Sequence, residues 1–179
     1  MRIIAGKHRG RLLLTPKDDT VIRPTTDFTR EALFNILSPV IAGAEVLDLF
    51  AGTGALALES LSRGARSATA CDKASESLSL IRRNAEALHE HVEIVAGDYT
   101  LACKRLQGRR FDIIFLDPPY AMEIAPVLDA LREAELCREG GMVVYEHDNA
   151  TPYLPLEGWV VRDARRYGRV ALTFLVTQV

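Results

Sequence analysis

The chain has 179 residues, of which 48% are hydrophobic and 26% charged, a size and balance typical of one well-cored globular domain. Its apolar runs are too short to span a bilayer, and we expect no membrane association. Three widely spaced cysteines without a Cys-x-x-Cys pair favour reduced thiols, and the basic start is unlike a signal peptide, so we expect a cytoplasmic protein. The four histidines lack metal-ligand spacing, and we expect no metal site.

In chain order, residues 1–24 are predicted to form short extended pieces separated by glycines and prolines. A helix follows, which Thr25 or Thr26 can cap and which Pro39 is expected to end. From Glu45 onward, apolar strands alternate with amphipathic helices. The strands are expected at 46–50, 67–71, 92–95, 111–116 and 142–145, and the helices at 55–63, 100–106 and 124–136. One further helix is expected to carry Leu78, Ile81, Ala85 and Leu88 on one face.

This alternation predicts an α/β fold, in which a mostly parallel sheet carries helices on both faces. The end of the chain differs, because residues 159–161 and 170–176 are strand-like and flank a turn at Tyr167-Gly168 with no helix between them. They predict an antiparallel hairpin added to the parallel sheet.

Charge is distributed unevenly along the chain. Residues 1–30 contain seven basic and three acidic residues, a net charge of +4, whereas the remainder carries −6. A basic arm on an acidic body favours a polyanionic partner for the arm. A solvated tail fits the charge distribution equally well.

A glycine-rich turn at residues 48–54 links the first predicted strand to a helix. Gly52 and Gly54 would let a ligand approach the backbone, close to the unpaired N–H groups of the helix start. The spacing also matches a loose dinucleotide fingerprint. Asp48 argues against that ligand, because a carboxylate repels a pyrophosphate but attracts the cationic amino-acid end of S-adenosylmethionine.

Two further carboxylates follow the next two predicted strands. Asp72 lies at the spacing expected of an acid that binds ribose hydroxyl groups. Asp98 could accept the adenine amino group, and an ordinary helix cap is an equally good interpretation.

A second motif, Asp117-Pro118-Pro119-Tyr120, follows the most apolar strand. An exocyclic amine on a base is a poor nucleophile, because its lone pair is delocalised into the ring. Asp117 and the Pro118 carbonyl could accept its two N–H bonds and favour a pyramidal nitrogen, while the prolines hold that carbonyl in place. Tyr120 offers a flat face for stacking a flipped-out base. The pattern predicts methylation of a base amine with S-adenosylmethionine as the donor.

Together, the two motifs and the basic arm resemble the bacterial 16S rRNA guanine-N2 methyltransferase family of the small-subunit rRNA methyltransferase D type. The resemblance covers nearly the whole chain and is most distinctive at residues 23–35. It implies a Rossmann-like class I methyltransferase fold with a seven-stranded sheet, and a division into an N-terminal β-hairpin arm (1–24) and a methyltransferase domain (25–179). The implied substrate is the guanine at nucleotide 966 of 16S rRNA in the small ribosomal subunit.

The resemblance also implies roles for individual residues. The cofactor site would be lined by Asp48, Gly52, Gly54, Asp72 and Asp98. The catalytic residues would be Asp117, Pro118 and Tyr120. The candidates for contacts to the substrate RNA, or for ordering the arm over the site, are Arg9, Arg11, Arg23 and Arg30, with Pro119 beside the base.

Two rival functions remain open from the sequence. The Asp117 motif serves adenine-N6 methylation of DNA as well, although 179 residues leave no room for a separate DNA-reading domain. A non-catalytic RNA-binding assembly factor is the other rival, and the intact motif argues against it. Nothing in the sequence demands more than a monomer.

Overall fold

A computed structural model describes residues 1–17, 26–119, 121–150 and 156–178. The helices in these ranges are α1 (Asp27–Ile41), α2 (Ala55–Ser62), α3 (Ser75–Ala87), α4 (Tyr99–Leu106) and α5 (Ala125–Glu133). The strands are β1 (Glu45–Asp48), β2 (Ser67–Asp72), β3 (Glu93–Ala96), β4 (Phe111–Leu116), β5 (Cys137–Asp148), β6 (Trp159–Tyr167) and β7 (Val170–Thr177). None of these helices is long and apolar enough to cross a membrane.

The strands form one seven-stranded sheet in the order β3-β2-β1-β4-β5-β7-β6. The first five are parallel, and β7 pairs antiparallel with both β5 and β6, which confirms the expected terminal hairpin. Side chains of β4 alternate between two cores: Ile114 packs with α4 and α5, and Phe115 packs with α1. Strand order reverses between β1 and β4, and open α/β sheets bind ligands at such a point.

Two helix ends differ from the expectation. α1 begins as predicted, since Thr26 Oγ1 accepts the N–H of Thr29 at 3.1 Å, but it continues past Pro39 to Ile41. The prediction that Pro39 ends the helix is wrong because Ile41, 4% exposed, packs its last turn into the core. α5 stops before the expected residue 136, because Glu135 adopts a left-handed conformation (φ 54°) and Leu136 N–H bonds back to the Leu131 carbonyl.

Residues 1–17 of the N-terminal arm form a hairpin with an antiparallel bridge between Arg2 and Leu12, and the rest of the predicted arm, 18–24, lies outside the described residues. The hairpin packs on the body: Ile3 is fully buried and Leu13 is 6% exposed, in one cluster with α2 and α3. A Cβ atom at Gly6 would lie 1.9 Å from the Ser62 carbonyl oxygen, so only glycine permits this close approach.

Glu59 of α2 fastens the arm to the body. Its side chain is fully buried, and it accepts the backbone N–H groups of Ile4 (3.0 Å) and Ala5 (3.2 Å). Arg63 forms an ion pair with the same carboxylate at 3.0 Å. One buried charge therefore satisfies two donors of the arm and one cation of the helix.

We expect Glu59→Ala to lower the free energy of unfolding by about 2–4 kcal/mol, because it leaves buried donors and a cation without an acceptor. Urea denaturation measures the loss, and trypsin cleavage at Lys7 and Arg9 should become faster. Glu86→Ala, an exposed substitution on α3, is the matched control and should change neither. Equal stability of the two variants would contradict this role of Glu59.

Candidate active site

A cavity of about 1030 Å³ lies at the carboxyl ends of the parallel strands, around the point where strand order reverses. This volume is at the upper end of the range for small-molecule sites. The structure brings most of the predicted site residues to its wall. They are Arg30, Asp48, Gly52, Asp72, Asp98, Asp117, Pro118 and Pro119.

The glycine turn bends sharply between β1 and α2. Gly52 and Gly54 both have positive φ values, 56° and 83°, which side chains with a Cβ atom rarely adopt. A Cβ atom on Gly52 would meet no other atom within 4 Å, so the backbone there faces open space. Gly54 caps α2 without a side-chain hydrogen bond and does not itself line the cavity.

Asp72, at the end of β2, binds backbone N–H groups, a role that the sequence spacing, which predicted a ribose contact, did not indicate. Its Oδ2 accepts the N–H of Gly52 at 2.9 Å, and its Oδ1 accepts the N–H of Ala74 at 2.9 Å. The carboxylate thereby fixes the glycine turn. Each oxygen keeps acceptor capacity for a further donor, so the predicted ribose contact is compatible with this role.

Asp48 is almost wholly buried at the end of β1, with 1% of its surface exposed. Its Oδ1 has no hydrogen-bond partner among the described residues. Burial raises the pKa of Asp48 from 3.8 to about 7; the N–H of Phe50 opposes this shift, and repulsion from Asp72 and Glu146 adds to it. The carboxyl group is therefore suited to a cationic partner, which would favour its ionised form.

Asp98 is the N-cap of α4, where its Oδ1 accepts the N–H of Leu101 at 2.9 Å. It also lies on the cavity wall, so its predicted contact to adenine stays a prediction. Next to it, the rings of Phe50 and Tyr99 pack 6.1 Å apart and both line the cavity. Sequence reasoning missed this aromatic pair, because Phe50 was assigned to a strand and Tyr99 carries no pattern.

The loop after β4 turns tightly at its prolines. Met122 N–H donates to the Pro119 carbonyl at 2.9 Å, whereas no described residue donates to the Pro118 carbonyl. Asp117, Pro118 and Pro119 all line the cavity, and Tyr120 lies outside the described residues. The described part of the motif thus presents one carboxylate and one available carbonyl.

Asp117 is surrounded by the cavity walls, although the residue is exposed to solvent through the opening of the cavity. Loss of solvation between these walls raises its pKa well above the usual value, and repulsion from Glu146 and Asp48 acts in the same direction. Glu146 follows Tyr145, which is in register with Leu116, so Glu146 and Asp117 leave neighbouring strands at the same level. A donor-bearing or cationic ligand would relieve this repulsion.

His147 is engaged within the wall of the cavity. Its Nε2 lies 2.7 Å from Thr173 Oγ1 and its Nδ1 2.9 Å from the Asp148 carbonyl oxygen. Burial lowers its pKa, and its ring stacks on Tyr145 at 4.4 Å. Residues 146–148 all line the cavity and form part of its polar rim, where His147 is held by contacts within the protein.

The arginines predicted to contact RNA fall in different places. Arg9 is exposed on the arm, and Arg11 is also exposed while donating to the Ala87 carbonyl at 2.8 Å. Arg30 is buried in the cavity wall with 1% of its surface exposed. Arg23 lies outside the described residues. Arg169, in the turn between β6 and β7, also lies on the cavity wall.

Sheet order, terminal hairpin and cavity position together define a class I methyltransferase. The yhhF protein of Escherichia coli superposes with a TM-score of 0.86 at 32% identity, covering 99% of this chain and 98% of that one. A hypothetical protein of Thermus thermophilus gives 0.85 at 34% identity, covering 99% of both chains. SMU.776, solved in complex with SAH, shares the fold alone, with a TM-score of 0.67 and 19% identity over 48% of that chain.

The chain belongs to the family described as Conserved hypothetical protein 95, whose model matches residues 1–176. Ribosomal RNA small subunit methyltransferase D of Escherichia coli K12 is 35% identical over 174 residues, covering 96% of this chain and 87% of that protein. The protein of the same name from Haemophilus influenzae is 32% identical, with 96% and 91% covered. These relatives confirm the resemblance inferred from the sequence.

We expect Asp48→Asn to change how stability depends on pH. Between pH 5 and about 7 the folded protein keeps a proton on Asp48 that the unfolded chain has released, so this group makes the wild type less stable as pH rises. Relative to Asp48→Asn, the free energy of unfolding should fall by about 2–3 kcal/mol over this range. Urea denaturation at several pH values measures the difference.

Glu139→Gln, an exposed substitution on β5, is the control and should follow the wild-type pH dependence. Parallel curves for wild type and Asp48→Asn would show that Asp48 is an ordinary ionised carboxylate.

Proposed function

We propose that this chain transfers a methyl group from S-adenosylmethionine to the exocyclic N2 of a guanine in 16S rRNA of the small ribosomal subunit. The observation that carries the proposal is the meeting of both motifs in one cavity, with Asp48 and the glycine turn beside Asp117 and Pro118. The relatives named small subunit methyltransferase D support the rRNA substrate. Nucleotide 966 is the target implied by the family resemblance.

The groups that line the cavity support S-adenosylmethionine as its ligand. Asp48 Oδ1 is a buried acceptor without a donor, close to the carboxylates of Asp72 and Glu146, which matches an ammonium donor and not a phosphate. Asp72 and the backbone around Gly52 would hold the ribose, and Asp98 with the Phe50–Tyr99 pair would hold the adenine. When bound, the cofactor supplies an electrophilic methyl group on a positively charged sulfur.

Asp117 and Pro118 act on the other reactant. The carboxylate and the carbonyl each accept one N–H bond of the target amine, which aims the nitrogen lone pair away from both acceptors. As positive charge develops on that nitrogen, the nearby carboxylate of Asp117 stabilises it. Asp117 must be ionised for this purpose, and the raised pKa makes it a better acceptor for the proton that the amine then releases.

The exposed arginines of the arm would bring the rRNA to the cavity. Met1 and Pro16 of the arm line the cavity, so the arm borders the place where the target base must enter. Arg9 and Arg11 are exposed on this arm and can contact phosphates. This arrangement favours RNA over the rival DNA substrate, because the arm resembles that of the rRNA methyltransferase family and is additional to the seven-stranded sheet.

The decisive experiment offers labelled S-adenosylmethionine with small ribosomal subunits, naked 16S rRNA or duplex DNA, and identifies the modified nucleoside. We expect N2-methylguanosine from the ribosomal substrates. Asp117→Ala should reduce transfer by at least about 100-fold, because it removes one amine acceptor and the stabilising charge, while cofactor affinity stays nearly unchanged. Nucleoside analysis and calorimetry measure the two effects.

Glu123→Ala, an exposed change close to the same loop, is the matched control and should retain full transfer. N6-methyladenine as the product would establish the DNA-type rival. Absence of any product would favour the non-catalytic assembly factor, and normal turnover by Asp117→Ala would refute the proposed chemistry.

Neutralising Arg9 and Arg11 together, each to Gln, should weaken binding to rRNA and make it less sensitive to salt. Loss of two phosphate contacts should reduce the slope of log K against log salt by roughly 1.5. Filter binding at several salt concentrations measures this slope. The control is Arg109→Gln with Arg110→Gln, at the opposite edge of the sheet from the cavity, and an equal effect of both pairs would make the arm merely one basic surface among others.

A further inference from the structure

Arg30 of α1 is a buried cation with donors to spare. Its Nη2 donates to the Arg2 carbonyl at 2.7 Å and to Asp27 Oδ1 at 2.8 Å. Its Nε and Nη1 are buried and have no hydrogen-bond partner among the described residues. A guanidinium stays charged in proteins, and buried donors without partners on a charged group lower the free energy of unfolding. A ligand that supplies an acceptor to these donors would therefore bind favourably.

Asp48 is the counterpart of Arg30 in the same cavity. Its Oδ1 is a buried acceptor without a donor, and both residues form part of the cavity wall. Among the described residues whose side chains line the cavity, these two alone carry buried polar atoms without partners. They have opposite charge, one offering donors and the other an acceptor. The ligand chemistry that complements this pair is a zwitterion with one ammonium and one carboxylate group.

We propose that Arg30 binds the carboxylate of the amino-acid end of S-adenosylmethionine through one of its unpaired N–H groups, while Asp48 binds the ammonium. The inference rests on the proposed cofactor and adds a recognition residue from α1, outside the glycine turn. Charge-assisted hydrogen bonds of both signs would then fix the amino-acid end at two points. The contact of Arg30 with Asp27 and the Arg2 carbonyl holds the guanidinium in place for this purpose.

An RNA phosphate offers the same anionic chemistry, and the family resemblance made Arg30 a candidate either for an RNA contact or for ordering the arm over the site. Two observations favour the cofactor. Arg30 is 1% exposed and contacts the arm from inside, whereas Arg9 and Arg11 present their side chains on the outer surface. Arg30 also shares its cavity with the unpaired acceptor of Asp48, which a phosphate would repel.

Binding of three ligands to the RNA-free protein tests the assignment without any measurement of activity. S-adenosylhomocysteine has both amino-acid groups, its decarboxylated analogue has only the ammonium, and 5′-methylthioadenosine has neither. By calorimetry, the wild type should bind S-adenosylhomocysteine at least about 10-fold more tightly than the decarboxylated analogue. Equal affinities would overturn the proposal without any variant.

Arg30→Met should weaken binding of S-adenosylhomocysteine by about 10- to 100-fold and leave the other two ligands within about threefold of wild type. Asp27→Asn is the matched control, since it breaks the ion pair but keeps the guanidinium, and it should preserve wild-type discrimination. If Arg30→Met does not fold, Arg30→Lys replaces it and should show reduced discrimination in favour of S-adenosylhomocysteine.

Each remaining outcome has one meaning. A uniform loss for all three ligands would overturn the proposal, because it would make Arg30 only a support of the fold. Unchanged discrimination in the Arg30 variants together with weakened rRNA binding would assign the guanidinium to a phosphate and also overturn it. If the wild type binds none of the three ligands, the proposed cofactor itself fails.

Discussion

The site depends on the parallel pairing of β1 with β4. Asp48 is in register with Phe115, two residues before Asp117, so two carboxylates from distant parts of the chain leave adjacent strands at the same edge. Burial raises the pKa of Asp48, loss of solvation raises that of Asp117, and repulsion from the neighbouring carboxylate of Glu146 adds to both shifts. Desolvation and repulsion between carboxylates are therefore unfavourable at this edge of the sheet, and carboxyl groups with such perturbed pKa values are typical of functional sites. A ligand that brings positive charge and N–H donors offsets the desolvation and the repulsion.

The N-terminal arm is part of this arrangement. Its basic composition is also compatible with a solvated tail, yet Ile3 and Leu13 are buried and Glu59 binds its backbone. The arm then contributes Met1 and Pro16 to the cavity wall. The described basic residues of the arm therefore lie on its exposed side, while its buried side is held by apolar packing like that of the core.

Periodicity predicted most of the fold, because strands and helices here have strong apolar patterns. The seven-stranded, mostly parallel sheet and its terminal hairpin agree with the expectation. The misses have local causes: tertiary packing of Ile41 outweighs the helix-ending tendency of Pro39, and Glu135 takes a left-handed turn usually made by glycine.

The candidate site was predictable only where a motif surrounds the residue. The residue composition of the glycine turn and of the Asp117 loop is enough to predict both as parts of a site, and the structure brings both to the cavity. Other features arise from contacts between distant segments, which no local pattern encodes. Asp72 fixes the Gly52 backbone, Phe50 meets Tyr99, and the guanidinium of Arg30 turns inward.

The single guanidinium of Arg30 touches both the backbone of the arm, at Arg2, and the cavity. Any movement of the arm that displaces this contact also displaces a charged group of the pocket. If binding at either place shifted this contact, occupancy of the cavity and the position of the arm would be thermodynamically linked, and such linkage is reciprocal. A polyanion bound to the arm and a small molecule bound in the cavity would then each change the binding affinity of the other by the same factor. Through this contact, the binding of a polyanion to the arm could change the affinity of the cavity for a small molecule before any reaction takes place.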